Sequence, residues 1–203
     1  IFIILASVIY GVYNQATVYK KYYSYYAGLQ LYHPVFEWLN KQPKECVVLA
    51  IDDSKGTYHL DTLIPVFTRC DVYVGGWEFS MMPYERILHN YLVTLRFKGV
   101  SSKDLDQYTK ANLQEIRGRL FSNWQGLYSV EDFPDFHDFE LEKRLKEFPG
   151  KYKDFLVKNF SDELNKYRLD YILSVGPLDK KIKKQLPALE LLYQQNNIFI
   201  YSI

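Results

Sequence analysis

The chain predicts an α/β fold: a small three-layer domain with a mainly parallel sheet of about four strands and a helical insertion, preceded by the end of a transmembrane helix. Three observations lead there. Val47-Val48-Leu49-Ala50-Ile51 and Asp71-Val72-Tyr73-Val74 are apolar runs without alternation, separated by a helix-length crossover. That is the pattern of neighbouring strands buried on both faces of a parallel sheet. Two more such runs, 170–175 and 198–203, close the chain, and residues 1–19 carry no charge at all.

The N-terminal stretch IFIILASVIYGVY, residues 1–13, is dense in Ile, Val and Phe, yet too short to span a bilayer. A secretory signal would need a basic segment before it and a small-residue cleavage site after it, and neither is present, so it does not read as one. The chain opens on Ile1 without Met, which fits a piece of a longer polypeptide. Residues 1–15 are therefore expected to be the C-terminal end of a transmembrane helix that begins upstream, with a buried helix as the other reading. Lys20, Lys21 and the five tyrosines Tyr19, Tyr22, Tyr23, Tyr25 and Tyr26 follow, an aromatic belt with snorkelling cations. Across 203 residues, 19 Tyr and 13 Phe make the chain strongly aromatic. Lys+Arg number 25 against 24 Asp+Glu, so the basic footprint of a nucleic-acid-binding protein is missing.

Residues 16–44 predict juxtamembrane helices, broken near His33-Pro34 because a proline disfavours helix at the residue before it. Residues 45–203 form the α/β tail domain. After the first strand, 54–57 reads as loop and 59–67 as a short helix containing Pro65. The second strand covers 71–74. A helical insertion occupies about 84–168. Its first helix, 83–98, shows a stripe of Ile87, Leu88, Tyr91, Leu92 and Leu95 and stops at Gly99. A second, capped by Ser101 or Ser102, runs to about Trp124. A loop at 125–138 is pinned by Phe133, Phe136 and Phe139. Two helices, 138–148 and 151–167, are split by Pro149-Gly150. A third strand (170–175), a helix over 178–195 broken at Pro187, and a fourth strand at 198–203 complete the order, with right-handed crossovers expected.

In such sheets ligands sit beyond the carboxyl ends of the strands. Asp52-Asp53 and Gly75-Gly76-Trp77-Glu78 mark that rim. Two acids after a buried strand could bind Mg²⁺ or a ribose hydroxyl. Adjacent residues point opposite ways at a strand end, however, so the simpler expectation is a capped turn. Gly75 and Gly76 allow close approach of a ligand, Trp77 could stack on a sugar ring and Glu78 could accept hydroxyl hydrogen bonds. Equally, the glycines could close the strand while the indole packs on the next helix.

No phosphate loop or dinucleotide-binding pattern occurs, and no cofactor is expected. His33, His59, His89 and His137 are scattered, with no pair at metal-ligand spacing. Asn159-Phe160-Ser161 matches a glycosylation sequon, a weak signal. Cys46 and Cys70 each precede a strand; if those strands are parallel neighbours, both lie at one end of the sheet, within reach of a disulfide. The alternative is two reduced, small apolar side chains.

Trp38-Leu39-Asn40, Val47-Val48-Leu49-Ala50, Leu63-Ile64-Pro65, Thr68 and Val72-Tyr73-Val74-Gly75-Gly76-Trp77, taken together, resemble the C-terminal tail of bacterial polytopic membrane proteins related to GT-C class glycosyltransferases, which use lipid-linked sugars. The resemblance is clearest over 33–99. It implies a non-catalytic extramembrane domain that helps position an acceptor or a lipid-linked sugar donor, because the catalytic acid of that class lies in a loop upstream of this chain. It also implies partners in membrane lipid, an upstream transmembrane bundle and a lipid-linked sugar or glycan, with the tail extracytoplasmic. Lys20 and Lys21 point the other way by the positive-inside tendency. Members often carry His where this chain has Gly76. The competing expectations are a membrane-tethered glycan- or peptide-binding module without an enzyme, and an α/β enzyme using Asp52, Asp53 and a nucleotide.

Overall fold

The computed structural model describes residues 2–42, 45–51, 60–75, 82–113, 115–116 and 134–203. The elements in order are α1 (Phe2–Gln30), α2 (His33–Asn40), β1 (Val47–Ile51), α3 (Leu60–Phe67), β2 (Asp71–Val72), α4 (Tyr84–Phe97), α5 (Leu105–Ala111), α6 (Pro134–Leu156), α7 (Phe160–Leu164), β3 (Tyr171–Val175), α8 (Lys180–Gln185), β4 (Glu190–Gln195) and β5 (Ile198–Ser202).

The strands form one mixed sheet in the order β2-β1-β3-β5-β4. β1 pairs in parallel with β2 and with β3, whereas β5 lies antiparallel between β3 and β4. Four strands thus run one way and β5 alone runs against them. Side chains alternate faces along a strand, and the core divides accordingly. Leu49, Ile51, Ile172, Phe199 and Tyr201 pack with α4, α6, α7 and α8. Val48, Leu173, Ile198 and Ile200 pack with α2 and α3 on the other face. Helices on both faces of a sheet make the three layers.

Several local expectations are corrected. The sheet has five strands: 190–195 is β4, not the end of a helix, and α8 stops at Gln185. Leu, Glu and Gln favour a helix locally, but Asn196 and Asn197 both take positive φ and close a two-residue hairpin whose twist matches paired strands. β2 is shorter than 71–74. The expected loop at 125–138 gives way to helix from Pro134 onward, and the expected split at Pro149-Gly150 is absent, since α6 runs through both. An internal proline costs a helix about 3 kcal/mol. Phe148, Tyr152 and Phe155 straddle it fully buried, ring against ring, and each such burial contributes about 1.5–3 kcal/mol. Packing wins. The helix expected over 151–167 is divided: its first residues belong to α6, which ends at Leu156, and α7 spans Phe160–Leu164. Asp104, not Ser101 or Ser102, occupies the cap of α5, where Ser101 Oγ donates to its carboxylate. The stretches 117–133 and 52–59 lie outside the described residues.

The chain turns between α1 and α2 at Leu31-Tyr32, and Pro34 sits in the first turn of α2. From Val8 to Tyr23 the apolar side chains of α1 are exposed. Among the described residues no helix is long and apolar enough to cross a membrane.

Candidate functional site

Of the rim residues expected from the sequence, Asp52, Asp53, Gly76, Trp77 and Glu78 lie outside the described residues. Gly75 is described: it is half-buried just past Val74, where the chain leaves the carboxyl end of β2. Cys46 and Cys70 are at the opposite, amino edge, joined in a disulfide with Cα atoms 4.4 Å apart. Asp170 strengthens that edge, accepting the Val47 N–H at 2.8 Å and the Arg168 Nε–H at 2.9 Å, while the Arg168 guanidinium also donates to the Glu45 carbonyl.

What the fold assembles at the carboxyl edge is a polar cluster around α4. Every residue of α4 from Ile87 to Leu95 is buried, so its polar residues are forced inward along with its apolar ones. Arg86, Asn90 and Thr94 follow one another at four-residue spacing and share a face. Asn90, fully buried, donates through Nδ2 to the Tyr73 carbonyl at the end of β2, tying helix to strand. Thr94 Oγ1 donates back to the Asn90 carbonyl at 2.9 Å.

His89, 5 % exposed, faces two acceptors. Its Nε2 lies 3.0 Å from Glu163 Oε2 on α7, and its Nδ1 3.4 Å from Asn90 Oδ1. The ring also meets Phe155 and Tyr167 edge-on. Burial, the largest influence, pushes the His89 pKa down, the Asn90 contact raises it, Lys166 lowers it and Glu163 raises it; the net shift is downward. The neutral ring donates Nε2–H to Glu163. In that tautomer Nδ1 faces the Asn90 amide oxygen, which has no proton to give it, and the Nε2–H bond to Glu163 braces α4 against α7. Lys158 Nζ takes the other Glu163 oxygen at 3.5 Å.

Arg86 is different. Its guanidinium lies 5.0 Å from the centre of the Tyr167 ring, and Lys166 Nζ lies 5.6 Å from the same centre. Arg86 Nε is buried without a hydrogen-bond partner, as is the hydroxyl of Tyr73, itself 1 % exposed. Burial pushes the Tyr73 hydroxyl pKa far up, and the Arg86 charge opposes that shift.

The residues that matter here were passed over in sequence because the histidines lacked a metal partner. The available signal was the row Arg86, Asn90, Thr94, with His89 beside it, set among the apolar residues of α4. Among the described residues no group of His, Cys, Asp or Glu could hold a metal ion. Comparison with protein-family models, curated proteins and solved structures finds no match for this chain.

Proposed function

We propose that this chain is a non-catalytic extramembrane domain of a membrane glycosyltransferase-like protein, held at the extracytoplasmic surface, where it helps position an acceptor or a lipid-linked sugar donor. The observation that carries the attachment is α1. At about 100° per residue, Val8, Ile9, Tyr10, Val12, Tyr13 and Val18 look out on every side of the helix, and all are more than half exposed. A helix apolar all round requires an apolar surrounding, and among the described residues neither core cluster includes a side chain of α1. A bilayer supplies that surrounding. The tyrosines at 19–26 and Lys20-Lys21 then fall at the headgroup level.

The disulfide supports the side of the membrane, because such bonds persist in oxidising compartments. His89, buried and donating to Glu163, ties α4 to α7, which fits a positioning role. The link to a lipid-linked sugar rests on the resemblance of 33–99 alone.

The test is thiol labelling of the protein in intact cells with a membrane-impermeant reagent, before and after reduction. Cys46 and Cys70 are the two cysteines of these 203 residues. Labelling that appears in intact cells only after reduction is the expected result. Labelling that needs lysis and no reduction would overturn the proposal.

A further inference from the structure

Arg86 and Lys166 are two cations over one ring, and among the described residues neither has a carboxylate partner. The nearby acids do not supply one. Glu163 is committed to His89 and Lys158, and Glu85, in the same first turn as Arg86, is exposed and makes no ion pair. Arg86 also sits where a helix least favours a cation, since the aligned peptide dipoles place positive charge at the N-terminus of the 14-residue α4. Pro83 occupies the cap there without a side-chain hydrogen bond. Positive charge therefore accumulates there with no carboxylate among the described residues paired to Arg86 or Lys166.

A second, independent observation lies beside it. Asn90, one turn along α4 from Arg86 and on the same face, holds the Tyr73 carbonyl. That places the Tyr73 end of β2 next to Arg86, and the buried Tyr73 hydroxyl has no partner. A buried hydroxyl without a hydrogen bond is costly, and a ligand oxygen would complete it. The guanidinium fork, the Lys166 ammonium and a phenol hydroxyl together offer donors from three separate groups. That set suits a tetrahedral, multiply charged oxyanion better than a planar carboxylate.

We propose that Arg86, Lys166 and Tyr73 form a phosphate-binding site at the carboxyl edge of the sheet, with Tyr167 as its platform. Arg86 and Lys166 attract and orient the phosphate group, and the Tyr73 hydroxyl donates to one of its oxygens. The phosphate can belong to a free small molecule or to a lipid headgroup. The site uses residues of the folded domain only, so it stands whether or not α1 enters a membrane.

The experiment uses the full chain, titrated calorimetrically with inorganic phosphate and, separately, with vesicles of phosphatidylcholine containing phosphatidylglycerol, set against phosphatidylcholine alone. Arg86→Gln and Tyr73→Phe are titrated in parallel, with Lys180→Gln, on α8 away from the cluster, as the charge-matched control. Loss of Arg86 is expected to weaken binding by roughly 10–100-fold, and loss of the Tyr73 hydroxyl by roughly 5–10-fold. Lys180→Gln should leave it unchanged. Tyr73→Phe removes only an unpartnered hydroxyl, so it should fold at least as stably as the parent. A loss of affinity in that variant thus reports the ligand contact rather than the fold. Binding of phosphate with these losses supports a small-molecule source, and binding of anionic vesicles alone with the same losses supports a lipid one. No binding to either probe, or binding that Arg86→Gln and Tyr73→Phe leave unaltered, overturns the proposal.

Discussion

Cys46 and Cys70 stand one residue ahead of β1 and β2, and the disulfide between them ties the two parallel strands at their amino ends. The same register places the Asp71 N–H 2.7 Å from the Cys46 carbonyl. The bridge therefore closes next to a ladder hydrogen bond. β2 is only two residues long, so its own ladder to β1 is short. With the cysteines 24 apart in sequence, loop closure gives a stabilisation of about 3 kcal/mol. Cys46→Ser with Cys70→Ser, or reduction of the parent, should lower the unfolding free energy by that amount in a denaturant titration. An unchanged midpoint under reducing conditions would show that the bridge contributes nothing.

His89 should make stability fall on the acid side of neutrality. Burial holds its pKa below the ordinary value near 6.5, so the unfolded chain takes up a proton that the native state resists. Stability tied to the neutral ring is complete above about pH 6.5 and is lost as pH falls from there towards the folded value, where the loss levels off. Glu163, Lys158, Lys166 and Asn90 all face this ring or its partner. His89→Gln removes the titration and should flatten the slope in that window. An identical pH profile in the variant would assign the slope to other groups.

Two buried tyrosines should respond oppositely to loss of the hydroxyl. Tyr152 donates to the Val100 carbonyl at 2.7 Å inside the core. Tyr152→Phe leaves that carbonyl unsatisfied and should cost about 1–2 kcal/mol. Tyr73→Phe, without ligand, removes a hydroxyl that has no partner and should be neutral or stabilising. Thermal melts of the two variants side by side decide it; equal losses would contradict the hydrogen-bond assignment.

Glycine to alanine should likewise change sign with position. Gly99 ends α4 at φ 74°, with the Val100 N–H bonded to the Leu95 carbonyl and its own N–H to that of Arg96. A Cβ meets nothing within 4 Å there, so only the left-handed backbone opposes it, at about 1–2 kcal/mol. Gly150 lies within α6, also with open space around a Cβ, and Gly150→Ala should stabilise by about 0.5–1 kcal/mol. Denaturant midpoints moving the same way in both variants would refute the backbone argument.

The sequence by itself determined the layered core. The apolar runs at 47–51, 71–74, 170–175 and 198–203 are dense enough to bury both faces, and their burial in the structure follows from that. It also determined the break before α2 and the stop at Gly99, because proline and a left-handed glycine act through local sterics. Only the tertiary structure decided the rest. β4 is a strand because β5 offers it a ladder and Asn196-Asn197 a hairpin, although its residues favour a helix in isolation. α6 passes through Pro149 because Phe148 before it and Tyr152 and Phe155 after it are buried together. The site is tertiary for the same reason. Tyr73, Arg86, His89, Glu163, Lys166 and Tyr167 are spread over more than ninety positions, and no spacing rule joins them. They meet because α4, buried on all sides, carries its polar row into contact with the end of β2 and with α7, and electrostatics at that edge is a property of the packing.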